Sequence, residues 1–219
     1  VTIRAVKAAG YEIVTLDDAV ARMQTGEAKR PFAVLTFDDG YRDTLAHALP
    51  VLRRHGAPFT LYVTPGFAGR TARLWWIELE EAFRRLAHVE VEAGGRMLRL
   101  SASTDSEKSD SFRRLYWLLR SVSEEELLAV VAGLAEQAGV VAADVVASLC
   151  MNWEALAEIA NDPLCTVGAH TLTHPMLAKH PVEAARREMA ESRQRRLARL
   201  GFTTGEAEAL SALHTRNFM

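Results

Sequence analysis

"PFAVLTFDDGYRDTLAHALPVLRRHGAPFTLYVTPGF", residues 31–67, carries the reading of the fold. Phe32-Ala33-Val34-Leu35 reads as a buried strand that runs on through Phe37 and ends in two adjacent carboxylates, Asp38 and Asp39, ahead of Gly40. Arg42 to His55 follows as a helix that stops at Gly56, and "APFTLYVTPGF" is the next strand, closed by the Pro65-Gly66 turn. Strand, helix, strand in this order points to parallel α/β architecture. A turn accounts for one aspartate easily. Two side by side repel each other, so with a glycine and an aromatic following they read either as a solvated loop or as a site that holds a cation.

Upstream, Val1 to Ala9 reads as the end of an amphipathic helix stopped by Gly10, "YEIVTL" as a strand, and Leu16 to Met23 as a short helix with Asp17 or Asp18 near its start. Downstream the pattern changes. Leu74 to Leu86 reads as a helix with Trp75, Trp76, Leu79 and Phe83 on an apolar face, and "VEVEAGGRMLRL" as a hairpin turning at Gly94-Gly95. Ser103 to Arg120, Ser123 to Ala138 and Ala142 to Ala160 read as three more helices, and Ser123 with Glu126 has capping-box spacing. Residues 71–150 are therefore taken as a mostly helical insertion within a single domain spanning 1–219. "LCTVGAHT" restores the buried-strand signature after the Asn161-Asp162-Pro163 turn. Pro181 to Leu200 reads as an amphipathic helix with Val182, Ala185, Met189 and Leu197 near one face, and the tail "FTTGEAEALSALHTRNFM" is weakly patterned.

The bulk numbers bound the function classes. At 219 residues, 49% of them hydrophobic, the chain can build a real core. A net charge of −2 argues against a nucleic-acid binder that works by phosphate neutralisation. The basic runs, Arg186-Arg187 and Arg193 through Arg199, are interleaved with acids and read as the solvated side of a helix. Cys150 and Cys165 are too few for a disulfide scaffold and lack CxxC spacing, so a thiolate metal site is disfavoured, while one disulfide between them stays open. No run of about 18 apolar residues is present, so no membrane span is expected. The first residues lack the features of a signal peptide, and the chain opens without a methionine, as a fragment would; the compartment is open, with the cytoplasm slightly favoured.

The second informative stretch is "GAHTLTHPML", residues 168–177. His170 and His174 are four apart, so one helical turn would put both imidazoles on the same side, and with Pro175 following at once the turn is short or irregular. In a parallel α/β fold the C-terminal ends of the strands share one face, so two strand tips would offer two carboxylates and two imidazoles to one pocket. Two histidines and one carboxylate, with water completing the shell, are a common hydrolytic setting for a divalent cation. One aspartate would ligate and the other would take a proton from the bound water. Each half alone has a plainer reading, the Asp pair as turn chemistry and the HxxxH pair as a weak signal. The other histidines (47, 55, 88, 180 and 214) read as surface or helix residues. Trp75, Trp76, Tyr116, Trp117 and Trp153 offer a sugar-stacking surface, but helix core packing is the better reading.

"TFDDG" at 36–40 and "HTLTH" at 170–174 resemble the first two motifs of the polysaccharide deacetylases, carbohydrate esterase family four, of the chitooligosaccharide-deacetylase-like kind. The stretch between Tyr41 and Phe67 also resembles that family's helix and following strand, and the likeness covers roughly 10–70 and 150–200. The resemblance implies a distorted (β/α) barrel and a metal-dependent hydrolase that removes N- or O-acetyl groups from an acetylated polysaccharide or oligosaccharide. It implies Asp38 as general base, and Asp39, His170 and His174 as ligands of a divalent metal, with zinc the usual assumption. Metal-bound water would attack the acetyl carbonyl.

The sequence departs from the family later in the chain. Nothing after Gly201 matches the third motif, an arginine followed by a proline-aromatic pair, and His214 in "LSALHTRNF" has neighbours that do not fit the late Leu-x-His motif. The barrel is therefore expected to be incomplete at its C-terminus, with an open sheet edge that an oligomeric partner would cover. Two alternatives stand beside the deacetylase reading. One is a catalytically inactive deacetylase-like domain that binds carbohydrate or a partner protein. The other is a hydrolase that uses the same ligands on phosphate esters or small amides.

Overall fold

The computed structural model describes residues 2–26 and 30–200; the tail, with the expected position of a third motif and His214, lies outside them. The described chain opens with α1 (Thr2–Ala8), β1 (Glu12–Ile13) and α2 (Leu16–Thr25). Thr15 caps α2 by accepting the Asp18 N–H at 3.1 Å, and Gly26 ends it in the left-handed region.

The run read as one strand from Phe32 to Phe37 is two. β2 (Phe32–Ala33) pairs in parallel with β1, and β3 (Thr36–Phe37) pairs in parallel with β4 (Phe59–Val63). The chain changes partners between them. Ala33 C=O accepts from Val14 on one side, and Leu35 C=O already accepts from Thr60 on the other, at 3.0 and 2.9 Å. Feeding two sheets leaves Phe32 to Leu35 half-buried rather than buried.

The following helix is also divided, into a π-turn over Thr44–Ala48 and α3 (Leu49–His55), which Gly56 closes at φ +55°. Pro50 accounts for the division. It has no N–H, and its ring crowds the carbonyl four residues back, so the turn before it widens. After β4, the expected Pro65-Gly66 turn is a single helical turn, α4 (Pro65–Ala68), for which the fixed φ of proline at the first position is preorganised.

Next come α5 (Trp75–Arg85), the antiparallel hairpin β5 (His88–Ala93) and β6 (Arg96–Ser101), α6 (Asp105–Leu119), α7 (Glu124–Gln137) and α8 (Ala142–Leu149). Gly94 and Gly95 form the hairpin turn with φ of +60° and +69°, as the two-residue turn of a twisted ribbon requires. The expected capping box at Ser123 is half made. Ser123 Oγ accepts from Glu126 N–H, but the Glu126 carboxylate accepts from Gly94 N–H in the hairpin turn instead. The complete box is at Thr104 and Glu107, ahead of α6.

The expected helix 142–160 breaks after α8. Met151 N–H donates to Gly40 C=O at 2.9 Å, and Asn152 then caps a new helix, α9 (Trp153–Ala160), by accepting from Ala155 N–H. β7 (Cys165–Ala169) and α10 (Val182–Leu200) complete the described residues. β7 lies parallel to β4, with Val63 opposite Ala169, so β3, β4 and β7 form one parallel sheet with their C-terminal ends side by side.

The inward face of α10 differs from expectation. Val182 and Met189 are 59% and 40% exposed, whereas Ser192 and Arg196 are buried. Glu188, Ser192 and Arg196 recur every four residues, and the Glu188 carboxylate is hydrogen-bonded to the loop after β7.

The chain divides into two compact units. The first holds the parallel sheet and packs Leu52, Phe59, Leu61, Val63, Leu156 and Val167 into its core, with Phe37 edge-on to Phe59. The second, residues 70–148 with 175–185, has its own core of Leu79, Phe83, Leu115, Leu119, Leu127 and Val131. Each such leucine, fully buried, contributes about 1.5–3 kcal/mol. Trp75 is buried there and stacks on Tyr116 at 5.2 Å, as the core-packing reading expects, and Trp153 packs against the core of the first unit. Trp117 departs from that reading: it is 62% exposed, with the Arg120 guanidinium over its ring. Both cysteines are free thiols. Among the described residues no single helix is long and apolar enough to cross a membrane.

Candidate metal centre

The acidic loop begins where β3 ends. Asp38 is exposed, while Asp39 takes φ +68° and Gly40 φ +75°. Aspartate is one of the few side chains that tolerates this left-handed region, and glycine enters it freely. The double reversal separates the two acids: Asp38 stays in solvent while the Asp39 side chain is only 12% exposed. The loop is pinned at Gly40, whose N–H donates to Asp38 C=O at 2.8 Å and whose C=O accepts from Met151.

The histidine loop begins where β7 ends. His170 N–H donates to Val63 C=O at 2.8 Å, and the Thr64 hydroxyl donates to His170 C=O at 2.8 Å, so the end of β4 fixes the first imidazole. Of the two expected forms of the turn from His170 to His174, the structure takes the irregular one. Thr171 and His174 lie at φ +57° and +63°, and His174 N–H donates to the Thr171 hydroxyl at 3.1 Å. The bond that would close a helical turn is not made: His174 N–H goes to Thr171, and His170 C=O accepts from Thr64. The backbone N–H groups of Leu172 and Thr173 donate to the Glu188 carboxylate. Phe67 lies against the His174 ring with 5.8 Å between centroids.

The two loops meet at Asp39. Its Oδ1 lies 3.5 Å from His170 Nε2 and 3.3 Å from His174 Nε2, and the three potential ligand atoms all fall within 4.8 Å of one another. That oxygen is buried and accepts no hydrogen bond. Burial pushes the Asp39 carboxyl above its ordinary pKa, the His174 and His170 rings pull it down, and Asp38 adds to the upward push. An unsatisfied buried carboxylate oxygen facing two imidazole nitrogens is costly unless something positive sits among them. Two nitrogens and one carboxylate oxygen form a donor set suited to a divalent cation such as zinc, with positions left for water.

Residues 25–203 match the sequence model of the polysaccharide deacetylases. The chain belongs to the polysaccharide deacetylase family. Among solved structures, this family member is similar to the BpsB deacetylase domain from Bordetella bronchiseptica at 14% identity and a TM-score of 0.46, over 92% of this chain and 64% of that one. It is also similar to a de-N-acetylase from Aggregatibacter actinomycetemcomitans at 12% identity and a TM-score of 0.42, over 90% of this chain and 62% of that one. The chain thus spans somewhat under two thirds of the length of either. No curated protein matches it.

Within this family member, Asp39, His170 and His174 come together, and Asp38 adjoins Asp39 on the loop after β3. His47 and His88 are exposed, and His55 is half-buried at the end of α3. His180, in the second unit, has its Nε2 4.0 Å from Glu124. Sequence reasoning missed Glu188, Thr64 and Met151, which hold the two loops in place. Only Glu188 carried a local signal, as an acid beside two arginines, and that signal is the same for a solvated helix face.

Proposed function

We propose that this chain is a metal-dependent hydrolase that removes acetyl groups, N- or O-linked, from an acetylated polysaccharide or oligosaccharide. The observation that carries the reading is Asp39 Oδ1, buried without a hydrogen bond and facing both histidines, in a chain of the polysaccharide deacetylase family. Asp39, His170 and His174 would hold the divalent cation, and zinc fits the two-nitrogen, one-oxygen donor set. When bound, such a cation supplies positive charge that acidifies water and stabilises negative charge developing on the acetyl oxygen.

The chain's own residues do the rest. Asp38, exposed and next along the loop, takes a proton from the attacking water and so acts as general base. The left-handed backbone at Asp39 and Gly40 keeps the two acids in separate roles, one buried beside the imidazoles and the other open to substrate. Phe67, against the His174 ring, restricts its rotation.

The parallel β3-β4-β7 sheet, with the site at its strand tips, supports a distorted (β/α) barrel of the deacetylase type. Residues 71–150 are an insertion in that scaffold. Support comes from β4 and β7, which are neighbours in the sheet although about a hundred residues separate them, and from the separate core between them.

The test is acetate release from an acetylated chitooligosaccharide, assayed with an added divalent cation. Turnover is expected, and Asp38→Ala lowers kcat by about 10²–10⁴-fold while cation uptake persists. A chain that binds the cation but releases no acetate from N- or O-acetylated sugars would overturn the proposal in favour of a non-catalytic carbohydrate binder.

A further inference from the structure

The two histidines reach Asp39 along a path the backbone does not favour. Thr171 and His174 both lie in the left-handed region, at φ +57° and +63°, and neither is a glycine. Such residues persist only where their surroundings over-determine them. Part of the restraint is local: His174 N–H donates to Thr171 Oγ1, and Leu172 C=O accepts from Gly66 N–H at 2.9 Å. β4 holds His170 through Val63 C=O and the Thr64 hydroxyl. A further restraint comes from one side chain on α10. Glu188 Oε2 accepts from the backbone N–H of Leu172 at 2.8 Å and of Thr173 at 2.9 Å, and Oε1 accepts from the Thr173 hydroxyl at 2.9 Å. A single carboxylate thus gathers every donor that the two residues midway between the histidines can offer. These bonds are charge-assisted, short and directional.

We infer that Glu188 is the positioning residue of the histidine pair: its three-bond clamp on Leu172 and Thr173 aims both imidazoles at Asp39 before any cation arrives. The inference rests on the metal-site reading above and extends it to a residue that touches neither cation nor substrate. Preorganisation of this kind is where groups around a metal site act, and removing one typically weakens metal binding by about 10–100-fold.

The experiment measures Co²⁺ affinity and the visible absorption of the Co²⁺-loaded chain, for wild type and for Glu188→Ala, Glu188→Asp and Glu188→Gln. Glu188→Ala is expected to raise Kd about 10–100-fold and to shift the cobalt bands. Glu188→Asp keeps the charge but shortens the reach, and is expected to behave like the alanine variant. Glu188→Gln keeps the reach and an acceptor oxygen, and is expected to restore both readouts towards wild type. If the alanine variant fails to fold, the order of the aspartate and glutamine variants decides. Unchanged Kd and band positions, even with a lower unfolding temperature of the chelated protein, would reduce Glu188 to a structural role and overturn the inference alone. A wild-type chain that takes up no Co²⁺ would overturn the metal-site reading and the inference with it.

Discussion

Replacing Asp39 with asparagine separates the charge at the site from its backbone. Asparagine has nearly the same shape and tolerates the φ of +68° that Asp39 adopts, so the loop keeps its path. In chelated protein the wild-type Oδ1 is buried without a hydrogen bond, an arrangement that costs about 1–3 kcal/mol. A neutral amide there costs no more, so chelated Asp39→Asn should unfold at or above the wild-type temperature. With Zn²⁺ at 100 times its Kd, the wild type gains about 2.7 kcal/mol. For a chain of this size each kcal/mol moves Tm by about 2–4 °C, giving a rise of roughly 5–11 °C. Asp39→Asn loses the anionic ligand and should lose most of that rise. The two proteins therefore exchange rank between EDTA and Zn²⁺, as read by circular dichroism or calorimetry. Equal Zn²⁺-dependent rises in both proteins, or none in the wild type, would refute the reasoning.

Two further predictions concern the frame of the site. Burial alone would raise the Asp162 carboxyl, but its bonds to Arg53 Nε at 2.6 Å and to Leu164 N–H at 2.9 Å outweigh it and hold the pKa below the ordinary value. A depressed folded pKa means the stabilisation is present above the unfolded carboxylate pKa and is lost as pH falls through the folded one. Asp162→Ala should therefore cost about 1–3 kcal/mol in urea unfolding at pH 7 and progressively less in that acid range. Gly168 sits opposite Tyr62, and a Cβ there would fall inside the van der Waals envelope of the tyrosine ring. Gly168→Ala should cost about 1–3 kcal/mol by overpacking, and a double-mutant cycle with Tyr62→Ala should show part of it recovered.

The legible parts were those written locally. The Gly94-Gly95 turn, the stop at Gly56 and the apolar strand Phe59–Val63 each depend on a few neighbouring residues, and each was read in place. Several misreadings share one cause, a partner distant in the chain, whereas the π-turn before Pro50 has a local one. The run from Phe32 to Phe37 divides because Val14 and Thr60 claim different carbonyls. The expected helix 142–160 breaks where Met151 turns its N–H to Gly40. Glu126 leaves its capping box for Gly94, and α10 buries Ser192 and Arg196 rather than Met189. No local periodicity contains such bonds.

The candidate site divides along the same line. Asp38-Asp39 and His170-x-x-x-His174, each at the end of an apolar run, were specified by residue type and spacing, and those two segments are what the family resemblance reads. That their side chains converge is a property of the fold: β4 lies between β3 and β7 and brings Asp39 and His170, distant in the chain, to one end of a sheet. The difference in exposure between the adjacent acids is likewise tertiary, because it follows from a left-handed backbone at Asp39 and the burial around it. So does the shape of the histidine loop. Four-residue spacing suits a helical turn, but both ends of its closing bond are taken, His170 C=O by Thr64 of β4 and His174 N–H by Thr171. Donor chemistry is a matter of which residues are present. Direction and burial depend on what packs around them, and those neighbours lie far along the chain.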